Sequence, residues 1–251
     1  SLVTRLALIW NGRWLTWLPP GDGAKVGRRE IVRADMISEV LKALRNQVGA
    51  GVQVVASEWG KPTTVVPAEM SPNHEDKSWM SDVHAMHHGV HAANGQACTA
   101  MVLEQLNELP LAILCPSDEW MNALNTTFPQ ARSVHWADVL IRDLVQWGRE
   151  QPCLGWSIRV DVRKEGASMA AMLGERLQWV HRLDAGFQSE DVLYAMVNAI
   201  HRGDGEVGEA RVMWSGDGEL TNGWERFLPV IQSVNGPEEW ASLMQTLVSC
   251  G

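Results

Sequence analysis

The sequence predicts a mixed α/β protein made of two halves that follow one plan. Each half opens with a hairpin signal and continues through a third strand, an amphipathic helix with a capping residue, and one further strand. Three antiparallel strands, a helix and another strand are the order of a ribonuclease-H-like unit. The fold class is therefore α/β, with two tandem ribonuclease-H-like halves over 1–134 and 135–251.

The elements of the first half follow in order. Leu6 to Leu18 holds two apolar runs around Asn11-Gly12, the dipeptide that best accommodates the positive φ angles of a two-residue turn. Gly21 to Arg29 reads as a polar connector, with its basic run Lys25 to Arg29 a solvated loop, and Glu30 to Ala34 as the third strand. Asp35 caps a helix with apolar Met36, Ile37, Val40, Leu41, Leu44 and Val48, and Gly49 ends it. Strands over Gln53 to Trp59 and Thr63 to Val66 come next. Residues 71–94 are the most polar stretch and hold one irregular helix, before apolar runs recur at Ala97 to Leu103 and Leu109 to Cys115. Ser117 caps a helix that stops at Pro129, and Ala137 to Trp147 forms another.

After Gln151-Pro152 the order repeats. A hairpin over 156–173, a strand from Leu177 to Leu183, a Ser189-capped helix and a strand from Ala210 to Trp214 lead to a last helix near Pro237. That helix carries Trp240, Leu243, Met244, Leu247 and Val248 at helical spacing. Two such units in tandem make an actin-like ATPase architecture, although other mixed α/β folds share the element order.

Composition narrows the function classes. Apolar residues at 45% and charged residues at 20% describe a folded globular chain, and a formal charge of −9 repels polyanions, so no nucleic-acid partner is expected. The apolar N-terminus is broken by Arg5 and Arg13, and no segment reaches the roughly 20 residues of a membrane span. Cysteines at 98, 115, 153 and 250 show neither zinc-site nor disulfide-framework spacing. Cys98 and Cys115 lie in apolar runs as buried inert thiols, and a reducing cytoplasm is the expected location. Thirteen tryptophans beside three phenylalanines and one tyrosine fill the core or form an exposed interaction surface, core filling being the favoured reading.

Four stretches belong together: "TTVVPAEM" at 63–70, "PSDEWMNALNTTFPQARSVH" at 116–135, "RLDAGFQSEDVLYAMVNAI" at 182–200 and "VMWSGDGEL" at 212–220. In this order they resemble the bacterial family catalogued as domain of unknown function 3822. The resemblance implies an actin-like ATPase fold related to pilus-assembly and cell-division members of that superfamily. It implies no activity and no functional residues.

In nucleotide-hydrolysing actin-like proteins each half supplies an Asp-x-Gly hairpin, because backbone N–H groups must approach the phosphates and only glycine leaves room. Here the first hairpin reads Ile9-Trp10-Asn11-Gly12-Arg13, which keeps a turn glycine and lacks the carboxylate. The second keeps Asp161, but Arg163 stands where glycine is expected. Alternation puts Arg159, Asp161 and Arg163 on one strand face, the pattern of a surface charge ladder. Ser215-Gly216-Asp217-Gly218 has the small-residue turn that lets an adenosine pack, although a strand-to-helix loop favours glycine for its geometry alone.

His84, His87, His88 and His91 form two i, i+4 pairs that could hold a metal on a helix, with Asp82 or His74 completing the site; a solvated polar helix is the plainer reading. Gly203 to Gly208 spells a dinucleotide fingerprint, but it follows a helix and precedes a strand, so it is a helix-stop loop.

The expectation is a cytoplasmic, non-hydrolysing binding or scaffolding module. It would have no resident cofactor; the cleft between the halves would be the place for a ligand, exposed tryptophans the place for an unknown protein partner, and a homodimer is a further alternative. The alternatives are a divergent Mg-ATPase using Asp161 with Asn11, Gly12 and the Ser215 to Gly218 turn, and a metal-binding protein using the histidine helix.

Overall fold

In the computed structural model, which describes residues 5–70, 78–89, 97–235 and 238–251, the two halves carry sheets of the same strand order. The first sheet uses β1 (Arg5–Trp10), β2 (Trp14–Leu18), β3 (Gly27–Glu30), β4 (Gln53–Glu58) and β8 (Arg132–Ser133) in the order β3-β2-β1-β4-β8. The second uses β9 (Trp156–Arg163), β10 (Gly166–Leu173), β11 (Arg176–Asp184), β12 (Arg211–Gly216) and β13 (Val230–Ser233) in the order β11-β10-β9-β12-β13. In each, the first three strands are antiparallel and the last two join in parallel.

Alternation along the central strands sorts side chains between two cores. Leu6, Leu8 and Trp10 of β1 pack under α1 (Asp35–Val48) and α3 (Asp118–Thr127). Ala7 and Ile9 face the other way, into a core shared with α4 (Trp136–Glu150) and α6 (Ala241–Cys250). In the second sheet Ile158, Val160 and Val162 of β9 pack with Val192, Met196 and Ile200 of α5 (Ser189–Arg202). Helix α4 lies on β9 and β10, while α6 crosses back onto β1, β2 and β4, and the two helices pack on each other between the sheets. The C-terminal helix thus belongs to the core of the first half.

Between β4 and α3 the chain builds a small third sheet, β5-β7-β6, from β5 (Thr64–Val66), β6 (Thr99–Val102) and β7 (Leu111–Leu114), covered by α2 (Ser78–His88). Among the described residues no helix is long and apolar enough to cross a membrane.

Several local expectations need correction. The third strand starts at Gly27, so Arg28 and Arg29 are strand residues and not a solvated loop. Helix α5 is capped by a Gln188–Asp191 capping box, with Ser189 its first residue. Trp240 precedes α6 and adopts a positive φ of 71°. None of the thirteen tryptophans is exposed; Trp14, Trp17, Trp79, Trp179 and Trp214 are half-buried and the other eight are buried, so most of them fill the core. Arg159, Asp161 and Arg163 are buried, because β9 is covered on both faces; they are not a surface ladder. Cys98 and Cys115 are joined to each other and are not inert thiols. His74 and His91 lie outside the described residues.

Candidate functional site in the cleft between the halves

The β1–β2 turn and the β9–β10 turn face one another across the cleft, and each consumes its own polar groups. Gly12, at φ 89°, lets the first turn close tightly. The Asn11 side-chain oxygen then accepts the backbone N–H of Arg13 (3.1 Å) and of Trp14 (2.7 Å). Those are amides that a phosphate would need.

Across the cleft, Asp161 is gripped from two sides. Arg163, two residues on and on the same face, donates from Nε and Nη2 to the two carboxylate oxygens, each at 3.0 Å. Ser215, directly opposite Asp161 in the β9–β12 register, donates its hydroxyl at 2.8 Å. The same face continues along β9: Arg159 donates to Asp143 of α4 at 2.7 Å, and Asp143 also accepts from Thr246 of α6 at 2.8 Å. Buried charges need such partners, since an isolated one is far better solvated by water.

Aromatic rings close the space above the pair. The Arg163 guanidinium lies 3.7 Å from the centre of the Trp240 ring, and Trp240 meets Trp59 edge-on at 6.3 Å. Arg28 of β3 sits 4.4 Å from the Trp14 ring centre and pairs with Glu165 of the facing turn, while Glu239 lies 3.3 Å from Arg163 and 3.7 Å from Arg28. Burial acts to raise the Glu165 pKa, but the Arg28 hydrogen bond, a backbone hydrogen bond and the charges of Arg28 and Arg163 together outweigh it and hold this carboxyl below its ordinary value. The cavity left among Asn11, Trp59, Asp161, Arg163, Arg182 and Trp240 measures about 20 Å³. That admits one water molecule.

The Ser215 to Gly218 turn sits at the end of β12. Gly216 has φ 106°, and a Cβ there would collide with the Val162 carbonyl oxygen, so glycine is required by its approach to β9. The Asn235 side chain bonds both backbone polar groups of Gly216, at 2.8 and 3.3 Å, and Asp217 accepts the Glu219 N–H at 3.0 Å. The structure therefore brings Asn11, Asp161 and Ser215 to one place and puts Gly216, Asp217 and Gly218 just beyond them. Arg28, Trp59, Glu239 and Trp240 were missed from sequence, because they came from a connector, a strand end and a helix start.

The fold is the actin-like ATPase fold. Over all of this chain and 97% of the other, the protein is similar to a Bacteroides thetaiotaomicron VPI-5482 protein with actin-like ATPase fold and unknown function, at 14% identity and a TM-score of 0.73. It is also similar to a chain of the PilM–PilN type IV pilus biogenesis complex, at 12% identity and a TM-score of 0.58, over 96% of this chain and 90% of that one. No protein-family model matches the chain, and no curated protein matches its sequence.

The histidine helix is split by the structure. His84 is buried beneath α2, with Nδ1 3.1 Å from the Thr64 hydroxyl, and the His88 ring lies tilted beside it at 4.7 Å with Nε2 3.0 Å from the Thr63 carbonyl oxygen. Burial, with His88 and His87 alongside, lowers His84 to about 4. His87 and Asp82 are exposed.

Proposed function

We propose that the chain is a non-hydrolysing actin-like module of the bacterial cytoplasm that works by binding a protein partner. One observation carries this reading: the Asp161 carboxylate, the acid an ATPase would turn toward Mg²⁺, is bound on both oxygens by Arg163, whose guanidinium is itself covered by the Trp240 ring. A nucleotide needs a pocket of roughly 300–1,000 Å³, and the cleft at Asp161 offers about 20 Å³. The Asn11 side chain competes for the turn amides in the same way.

A partner segment would lie in the groove of about 740 Å³ between the edge strand β11 and α5, lined by Trp179, His181, Phe187 and Tyr194. The neighbour found in the PilM–PilN complex gives a precedent for a protein of this fold engaging a partner. A second copy of the chain is the other candidate occupant.

Calorimetry with Mg-ATP tests the reading. We expect no saturable heat at millimolar nucleotide. Micromolar binding that disappears in Asp161→Asn would overturn it in favour of the divergent ATPase.

A further inference from the structure

The small β5-β7-β6 sheet and α2 bury a second cluster that the cleft does not use. His84 on α2, Cys98 just before β6 and Cys115 just after β7 are each at most 4% exposed, and their ligand atoms all lie within 4.8 Å of one another. The register brings the cysteines together: Thr99 pairs with Leu114, which sets Cys98 opposite Cys115 with Cα atoms 4.2 Å apart. The imidazole arrives from the covering helix, and its Nδ1 is held by Thr64, which leaves Nε2 as the ligating nitrogen. Two sulfurs and an imidazole with a hydroxyl partner behind it are the donor set and outer support of a zinc site.

The surroundings give a reason for such a staple. Among the described residues, the apolar core of this subdomain consists of Val66, Met80, Ile113 and the two cysteines themselves, with a few half-buried neighbours. A core this small is ordinarily secured by a disulfide or a metal. The cysteine pair offers both.

We propose that His84, Cys98 and Cys115 form a thiol-gated site for Zn²⁺, closed as a disulfide under oxidising conditions and opened to the metal by a dithiol reductant. Reduction transfers two electrons and two protons from the dithiol to the two cysteine sulfurs, breaking their S–S bond and leaving the reductant as its cyclic disulfide. Zn²⁺ then replaces the two thiol protons, which pass to solvent, and binds both thiolates and the His84 nitrogen with water in the fourth position. The site is distinct from the pairing of His84 with His88 along one helix face, because its sulfurs come from the sheet.

The test uses the full chain without a histidine tag, in reduced and oxidised forms. The reduced chain is expected to retain one zinc per molecule through gel filtration and, with Co²⁺ in its place, to show a thiolate-to-cobalt charge-transfer band. The oxidised chain is expected to retain none, and Thr64→Ala to weaken zinc binding roughly 10- to 100-fold in the reduced form. His87→Ala, at an exposed position, should bind as the parent does. Equal zinc retention by oxidised and reduced chains, no stoichiometric zinc in the reduced chain, or a cobalt complex without the charge-transfer band would each overturn the proposal. The oxidised parent is the folded control, so the test does not depend on how Cys98→Ser or Cys115→Ser folds.

Discussion

At the scale of single residues, the helix cap at His135 ties stability to pH. His135 Nδ1 accepts the Ala137 N–H at 3.0 Å, and its Nε2 lies 3.0 Å from the Thr63 hydroxyl. Burial lowers its pKa from 6.5 to about 3. An unfolded chain takes up this proton as pH falls through 6.5, while the folded chain refuses it until about 3, so folding stability is lost from pH 6.5 downward. His84, lowered to about 4, acts in the same direction. Asp138 opposes them: burial raises it from 3.8 to about 6, so the folded state holds that proton longer and gains stability as pH falls from 6 towards 4. Each such proton is worth about 1.4 kcal/mol per pH unit. Urea midpoints measured at pH 7, 6 and 5 should therefore fall with acid, less steeply in His135→Asn, which keeps a capping oxygen, and more steeply in Asp138→Asn. A steeper fall in His135→Asn would contradict the assignment. No sequence pattern announced the burial of these groups, because burial that moves a pKa depends on which helix covers which sheet.

Among the elements, legibility tracked apolar periodicity. The Asn11-Gly12 hairpin, the 156–173 hairpin, and helices α1, α3, α4 and α5 were readable because their apolar positions repeat every two or every three to four residues. Strand β3 was read three residues late, since Gly27-Arg28-Arg29-Glu30 contains no apolar residue and is held by β2 on one side alone. The two-residue strand β8 and the four-residue β13 carry too little pattern to be seen at all. Asp161 was legible as a candidate acid, but its burial was not: Ser157, Arg159, Asp161 and Arg163 look polar-out, and only the α4–α6 layer between the sheets turns that face inward. The turns give a graded test. Gly12→Ala meets open space and suffers only from its positive φ, about 1–2 kcal/mol. Gly216→Ala adds a collision with the Val162 carbonyl oxygen to the same φ penalty, so it should destabilise more by chemical denaturation. Equal losses would mean that β12 gives way freely at its end and that the close approach does not constrain the turn.

For the whole molecule, the question is whether the halves move. In an actin-like arrangement the cleft is the place where a ligand shifts the balance between open and closed forms, and a ligand can shift it only by as much as it favours one of them. Here the cleft is bridged by the protein's own side chains. Arg28 of the first half reaches Glu165 of the second, Glu239 bridges Arg28 and Arg163, and Trp240 lies between Arg163 and Trp59. The positive φ of Trp240, unusual for a large residue, is the backbone conformation with which it enters the cleft. Partners that span both halves resist opening together, so removing one should loosen the rest. Small-angle scattering should give a radius of gyration that Mg-ATP leaves unchanged in the parent chain and that rises in Arg28→Ala and Trp240→Ala. The increase should come without loss of helical circular dichroism, because α6 stays docked on β1 and β4 through Leu243, Met244 and Leu247, which neither change touches. Contraction of the parent on adding Mg-ATP would mean that the cleft opens and closes around nucleotide, and that the Arg163–Trp240 lid is a gate, not a plug.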